Sequence, residues 1–195
     1  MKWVETLRDE HRSIAAVLQG MLYLLRAKRE LGRNVDACIF RAMLYYLDVF
    51  PGRMHHPKEE AILFEALRCR SRAIDSVLDE LTREHETLER EVGHLEQALL
   101  RYEEGGDVEF NAFATHAARY ANEYLEHLYR EEDLVLPYAL EVLSAEDWDE
   151  IDATLTENQD PLQGADTADY KKLFARIVAL SPPDTPKLSD TTTRD

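Results

Sequence analysis

Six residues of two types carry the metal-binding potential of this chain, and their spacing is regular. The segments at residues 7–14 and 81–88 resemble each other, and each holds a Glu-His pair. The segments at residues 55–60 and 127–132 each read His-x-x-x-Glu-Glu. This internal repeat predicts two helix pairs of one design. The candidate metal ligands within it are His11, His55, Glu59, His85, His127 and Glu131.

The chemistry that fits this set is metal binding by imidazole and carboxylate. A His and a Glu four residues apart lie on the same face of a helix, one turn apart. The set lacks a thiolate, so it suits iron, manganese or zinc rather than an iron–sulfur cluster or a structural zinc site. Two carboxylates that can bridge favour two ions over one. Taken singly, each residue indicates only core packing or a surface ion pair, so the repeat carries the hypothesis.

Long helices must position these residues. Amphipathic patterns with apolar residues three and four apart cover about residues 3–29, 35–67, 72–102 and 108–143. Glycines break the chain at 32 and 105–106, and Pro51-Gly52 predicts a kink or short interruption in the second helix. Short connections between long helices predict an all-α, up-down-up-down antiparallel four-helix bundle. No segment has the pattern of a strand.

The four histidines of the repeat are predicted to lie at one height in this bundle. Each consecutive pair is equally far from the turn between its two helices. Since every residue of a helix rises by about 1.5 Å, equal distances along antiparallel helices give equal heights. Buried carboxylates without a cation would be costly there, and a metal ion is the simplest partner.

Three of these histidines lie within the apolar stripe of their helices and are predicted to face the core: His11, His85 and His127. On the fourth helix the inward stripe reads Tyr120, Tyr124, His127, Glu131, Leu134. We expect that either carboxylate of the set, if buried without a compensating cation, would have a raised pKa, and that bound metal removes this cost.

The second helix offers two inward stripes, one through His55 and Glu59 and the other through His56 and Glu60. The repeat favours His55 and Glu59, while two nearby prolines leave the helical phase open. His56, Glu60 and Glu132 then lie beside the ligands, as a possible second shell or in solvent.

The remaining histidines are not predicted to bind metal. His94 lies off the apolar stripe and is predicted to be exposed, and His116 suits a packing or hydrogen-bonded role. Four tyrosines near the site are interpreted as wall and core, with one hydroxyl able to reach the site: Tyr45, Tyr46, Tyr120 and Tyr124.

The bundle is predicted to occupy residues 1–143. A C-terminal extension at 144–180 would add two short helices packed on the bundle, at about 144–157 and 168–180. Residues 181–195 are polar and are predicted to be disordered.

Composition narrows the function classes. The net charge of -16 repels nucleic-acid phosphates and anionic membrane surfaces, so neither partner is expected. No apolar stretch is long enough for a signal peptide core or a membrane span. The two cysteines, Cys38 and Cys69, are interpreted as reduced, half-buried thiols, which favours the cytoplasm.

At these motifs the sequence resembles the hemerythrin-like family, in its HHE cation-binding branch. The resemblance covers about residues 7–139. The later segment that contains Trp148 and residues 158–162 also looks like the extension found in longer members of the family. The motifs are Glu10-His11, Phe50-Pro51 with residues 55–60, Glu84-His85, and His127 with Glu131-Glu132 and Pro137.

The resemblance implies a non-haem site of two iron ions, bridged by two carboxylates and an oxo or hydroxo group, with zinc or manganese as other candidates. It implies the six residues of the repeat as ligands. Oxygen carriers of the family have a fifth histidine, one turn from another on the third helix. Here the residues one turn from His85 are Leu81 and Glu89, so simple reversible O2 carriage is in doubt.

Three function hypotheses follow. The first is a module that binds or senses O2, nitric oxide or peroxide, or that responds to iron. The second is a di-iron enzyme acting on peroxide or nitric oxide or in the repair of iron centres; the sequence shows no separate acid–base residues that would select one reaction. The third is a metal-free helical interaction protein. The sequence names no protein partner.

Overall fold

The computed structural model describes residues 1–155, and these are helical with no strand among them. The five helices are α1 (Lys2–Leu31), α2 (37–70), α3 (Asp75–Gly105), α4 (107–142) and α5 (Ala145–Thr154). Helix α4 packs against α1 and α3, and α2 packs against α1 and α3. The first four helices therefore form the expected four-helix bundle, with boundaries within a few residues of the sequence expectation.

The connections between these helices are short and have clear local causes. Helix α1 ends at Gly32, which has φ 60° and whose N–H donates to the carbonyl of Ala27. This left-handed conformation favours glycine. The side chain of Asp36 accepts a hydrogen bond from the N–H of Cys38 and caps α2. Gly106, with φ 66°, makes the turn between α3 and α4.

Wide π-type turns interrupt α2 and α4 around the candidate ligands. Helix α2 has them at Asp48–His55 and Glu59–Phe64, and α4 has one at Glu131–Val135. The helix at Pro51 thus continues as a wide turn rather than breaking. Proline lacks the N–H that a regular turn needs, and π turns are often found at functional sites.

These turns change which residues face the core. Leu134 was expected inward but is 52% exposed, whereas Val135 is 1% exposed. The turn at Glu131–Val135 advances the helical phase by one residue and corrects the expected stripe. On α2 the inward face likewise passes from His55 and Glu59 to Leu63.

Two apolar cores lie on opposite sides of the candidate ligands. The larger contains residues such as Ile14, Leu18, Met43, Leu95 and Tyr120. The smaller contains residues such as Trp3, Leu67, Leu81, Leu136 and Trp148. Through Trp148 and Ile151, helix α5 joins the smaller core.

The beginning of α5 matches the sequence expectation. Ser144 caps the helix, and its side chain and that of Asp147 exchange hydrogen bonds with each other's backbone N–H. The expected second C-terminal helix and the expected disordered tail lie outside the described residues. Within residues 1–155, no helix combines the length and the apolar character that a membrane span requires.

Candidate metal centre

The structure gathers all six repeat residues in one buried layer between the two apolar cores. Each is at most 2% exposed: His11, His55, Glu59, His85, His127 and Glu131. The four antiparallel helices bring one histidine each, as the equal distances from the turns predict.

The ligand atoms form two groups, and within each group they lie within 4.8 Å of one another. The first group is His11, His55, Glu59 and Glu131; the second is His56, His85 and His127. In the second group Nε2 of His85 is 3.0 Å from Nε2 of His127. Nitrogens bound at about 2.0–2.1 Å to one ion lie about this far apart.

The two glutamates lie between the groups. Oε2 of Glu131 is 3.5 Å from Nε2 of His11, and its Oε1 is 3.4 Å from Nε2 of His85. Oε1 of Glu59 is 3.3 Å from Nε2 of His11. Its Oε2 is 3.4 Å from Nε2 of His55 and 3.7 Å from that of His85. Each carboxylate therefore offers oxygens to both groups, which is the arrangement of a bridging ligand.

A fifth histidine, His56, also faces the centre. It is 2% exposed, and its ring stacks on that of His85 with centroids 4.0 Å apart. Its Nε2 is joined by a hydrogen bond of 2.6 Å to the hydroxyl of Tyr124. Since Nε2 is occupied in this way, Nδ1 is the nitrogen available to an ion.

The expectation that only one of the neighbouring histidines on α2 faces inward was wrong. Between two wide turns, His55 and His56 both face the core, while Glu60 turns outward. The sequence held a signal, because both stripes were visible there. At the position that the family's oxygen carriers fill with histidine, Leu81 lies in the smaller core and Glu89 is exposed.

An outer ring of four glutamates surrounds the layer, and each accepts a hydrogen bond from Nδ1 of a histidine on the neighbouring helix. The pairs are His55–Glu10 at 2.9 Å, His85–Glu60 at 2.7 Å, His127–Glu84 at 2.8 Å and His11–Glu132 at 2.9 Å. The ring closes around the bundle, because α1 supports α2, α2 supports α3, α3 supports α4 and α4 supports α1. With Nδ1 donating to a carboxylate, Nε2 of each ring is the nitrogen left to bind an ion at the centre.

Three of these outer carboxylates also bind a cation at the surface. Lys58 donates to Glu10 at 2.5 and 2.7 Å. Arg130 pairs with Glu84, and Arg8 pairs with Glu132 at 3.3 Å. Glu60 is the most exposed of the four, at 37%. Sequence reasoning had Glu60 and Glu132 beside the site but missed Glu10 and Glu84, although both lie in the Glu-His pairs.

In the metal-free centre, histidines compensate the buried carboxylates. Burial lowers the pKa of His11, but its hydrogen bonds to Glu132 and Glu59 raise it to about 10. Burial likewise opposes the charged form of His85, and Glu131 and Glu60 raise its pKa to about 10. Burial would raise the pKa of Glu131, but the charge of His127 holds it well below its ordinary value. The carboxylate of Glu131 is therefore compensated in the metal-free chain, because neighbouring histidines stabilise its charged form.

His56 behaves in the opposite way. Burial, followed by the charge of neighbouring His85, holds its pKa well below the ordinary value. Burial also raises the pKa of Tyr124 well above its ordinary value, so the phenol keeps its proton. A neutral imidazole paired with a neutral phenol thus lies beside four carboxylate-supported imidazoles.

The buried atoms of this layer fit a metal better than they fit each other. Within residues 1–155, several of them have no hydrogen-bond partner: Nε2 of His55, Nδ1 of His56, Oε2 of Glu59 and both oxygens of Glu131. Unpartnered buried polar atoms are rare in folded proteins and need an explanation. Imidazole nitrogens and carboxylate oxygens that converge in this way match the donors of iron, manganese and zinc sites.

The residues set aside in the sequence mostly lie where expected. His94 is 67% exposed, and Nε2 of His116 donates to Glu91 at 2.6 Å. Tyr45 is a correction: it is 53% exposed because it projects from the outer face of α2. Cys38 and Cys69 are free and exposed rather than half-buried.

Comparison with known proteins agrees with this geometry. The hemerythrin HHE cation-binding domain matches residues 3–139, which spans the bundle and every residue of the centre. Neither a search of curated proteins nor one of solved structures gave a match. The chain belongs to the hemerythrin HHE cation-binding domain family.

Proposed function

We propose that this chain is a non-haem di-iron protein that binds or responds to O2 or a related small molecule such as nitric oxide or peroxide. The observation that carries the proposal is the pair of ligand groups with Glu59 and Glu131 between them. One ion would lie with His11 and His55, and the second with His85 and His127. A cytoplasmic location fits the two exposed thiols, which stay reduced there.

The ligand set of the proposal is the six repeat residues together with His56. Five imidazoles and two carboxylates exceed what one ion of usual coordination takes, which supports two ions. When bound, the iron pair supplies redox chemistry and a coordination position for a small molecule. The chain's own residues hold and orient the ligands, since the outer glutamates fix each Nδ1–H and the apolar cores exclude water from both sides.

A di-iron enzyme acting on peroxide or nitric oxide is the second candidate, and Tyr124 is the observation in its favour. Its hydroxyl is buried, protonated and 2.6 Å from Nε2 of His56. A phenol in this place can donate a hydrogen bond or a proton near the centre. The metal-free interaction protein is disfavoured, because it leaves the buried atoms of Glu59 and Glu131 unexplained.

Metal analysis with visible spectroscopy tests the proposal. The protein is purified without added metal, and its iron, zinc and manganese contents are measured per chain. We expect close to two iron ions per chain and oxo-bridged ferric absorption bands that change on reduction and on addition of nitric oxide. Turnover of peroxide would favour the enzyme. A chain that retains no metal after exposure to ferrous iron would contradict both candidates.

A further inference from the structure

A small cavity is lined by His56 and by residues of the protein surface. It lies between α2 and α3 and has a volume of about 10 Å³. Its inner wall contains His56 and Tyr124, and its outer wall contains Asp48, Gly52 and Glu89. A volume of this size holds about one water molecule. The cavity therefore borders a candidate ligand and has room only for very small molecules.

Among residues 1–155, side chains also cover the centre on several other sides. The two apolar cores cover the layer from above and below. Around its circumference, the outer glutamates and their cations Lys58, Arg130 and Arg8 cover four of the histidines. His56 lacks such cover, because its partner is the phenol of Tyr124 instead of a carboxylate. A hydrogen bond between neutral groups is weaker than a charge-assisted one, so this ring is the easiest of the five to displace.

The rim of the cavity is acidic. Glu89 is exposed and Asp48 is partly exposed, and both lie in a chain of net charge -16. Arg53 pairs with Asp48 at 2.8 Å and offsets part of this field. Acidic rims repel anions and leave neutral molecules unaffected.

We propose that this cavity is the passage by which a small neutral molecule, of the size of O2, nitric oxide or hydrogen peroxide, reaches the metal centre. His56 and Tyr124 form its inner end. The proposal rests on the proposed function for the identity of the molecule, whereas the passage itself is a property of the folded chain.

Gly52 allows the passage to be closed without touching a candidate ligand. A Cβ atom at Gly52 would lie 3.3 Å from Cγ of Glu89, whose exposed side chain can move aside. A leucine at this position would extend across the mouth. Gly93 on α3 is the matched control, because a Cβ there meets nothing within 4 Å. Leu88 lines the cavity, so Leu88→Ala should widen it.

The first measurement is the association rate of nitric oxide with the reduced, iron-loaded protein by stopped-flow absorption. We expect Gly52→Leu to slow association by about tenfold, which corresponds to about 1.4 kcal/mol on the entry barrier. Leu88→Ala should speed it, and Gly93→Leu should leave it unchanged. Iron content and final amplitude should be equal in all four proteins. Equal rates in Gly52→Leu and wild type, with full amplitude, would overturn the proposal.

The second measurement needs no metal and separates the passage from the proposed function. Dissolved O2 is paramagnetic and accelerates the relaxation of nearby methyl protons in an NMR experiment on the metal-free protein. We expect a larger effect at Leu47 and Leu88, which line the cavity, than at Leu95, which is buried in the same core away from it. Gly52→Leu should remove the difference.

If Leu88 responds no more than Leu95, the passage does not exist and the proposal fails. If the relaxation pattern is as expected but iron-loaded wild type binds no nitric oxide, the passage stands and the proposed function fails.

Discussion

The two halves of the bundle have one design but differ at a buried position that contributes an imidazole to the centre. His55 in the first half corresponds to His127 in the second, so His56 corresponds to Leu128. Both are buried, at 2% and 0% exposure. Leu128 packs in the larger apolar core, whereas His56 joins the group of His85 and His127. A nearly symmetric repeat thus builds an asymmetric centre, with three imidazoles in one group and two in the other.

The asymmetry has a backbone cause. The second helix of the first half contains two wide turns, and that of the second half contains one, which begins at Glu131. Pro51 and Pro57 have no counterparts in α4, where Glu123 and Tyr129 occupy the equivalent places. The extra wide turn brings adjacent side chains onto one face. The difference shows that the repeat encodes the shared ligands, while local helix geometry encodes the fifth imidazole.

The largest effect should come from removing a shared carboxylate from either half. We predict that Glu59→Ala and Glu131→Ala each lower iron content sharply, because each removes oxygens that face both ligand groups. They should also abolish most of the metal-dependent stabilisation, which amounts to about 2.7 kcal/mol when free metal is 100 times its Kd. The measurements are iron per chain and thermal melts with and without chelator.

The control for this prediction is His94→Ala at an exposed position. It should change neither quantity, and wild type without metal should stay folded but melt at a lower temperature. Retention of full metal content by Glu131→Ala would remove the core-metal interpretation. A large effect in one half and none in the other would show that the carboxylates are not equivalent bridges.

A smaller effect is expected when the first half is made like the second. His56→Leu alone leaves the buried hydroxyl of Tyr124 without its partner, so the double variant with Tyr124→Phe is the cleaner test. We predict that the double variant keeps a metal-free melting temperature close to wild type and loses iron to a chelator more easily. The single variant Tyr124→Phe retains the imidazole and is the matched control.

Chelator competition and the visible spectrum measure this prediction. If the double variant and Tyr124→Phe retain iron equally, His56 does not contribute a ligand and the two halves function alike despite their difference.

Substitutions in the outer ring of glutamates should have the next smaller effect on metal affinity. Loss of a carboxylate that supports a ligating histidine typically costs about 10–100-fold in metal affinity. We predict losses in this range for Glu10→Ala and Glu84→Ala, which are equivalent in the two halves and hold His55 and His127. Glu60→Ala should cost less, because Glu60 is the most exposed member of the ring.

Substitution by glutamine refines this test, because the amide oxygen still accepts the hydrogen bond without the charge. A partial recovery in Glu10→Gln relative to Glu10→Ala is expected. Metal affinities unchanged in all these variants would show that the outer ring only closes the surface.

Much of this centre could be predicted from the sequence, and the errors in helical phase come from the wide turns. The repeat gave the bundle, the common level of the four histidines and the burial of Glu59 and Glu131. The sequence did not predict which residues of α2 face the core. The wide turns there depend on how the backbone hydrogen bonds around Pro51 are made in the folded chain. Leu134 was misplaced because the separate wide turn at Glu131–Val135 shifts the phase of α4. The partner of Glu10 could not be read either, because it lies on another helix.

The smallest effect concerns helix α5, which follows the second half and has no counterpart after the first. Asp147 binds Arg70 at the end of α2 at 2.7 and 2.8 Å and accepts from the N–H of Ser144. The hydrogen bond to Arg70, followed by that to the Ser144 backbone, lowers the pKa of Asp147 from 3.8 to about 2. Because the folded-state pKa is depressed, the stabilisation is present above about pH 4 and is lost as the pH falls toward 2.

We predict that Asp147→Asn lowers the melting temperature slightly at pH 5 to 7, a range above both pKa values of Asp147. The difference in melting temperature between this variant and wild type should shrink as the pH falls from about 4 toward 2. Asp149→Asn, at an exposed position on the same helix, should show no such convergence. A constant difference from pH 7 to below 3 would mean that Asp147 acts through packing rather than charge.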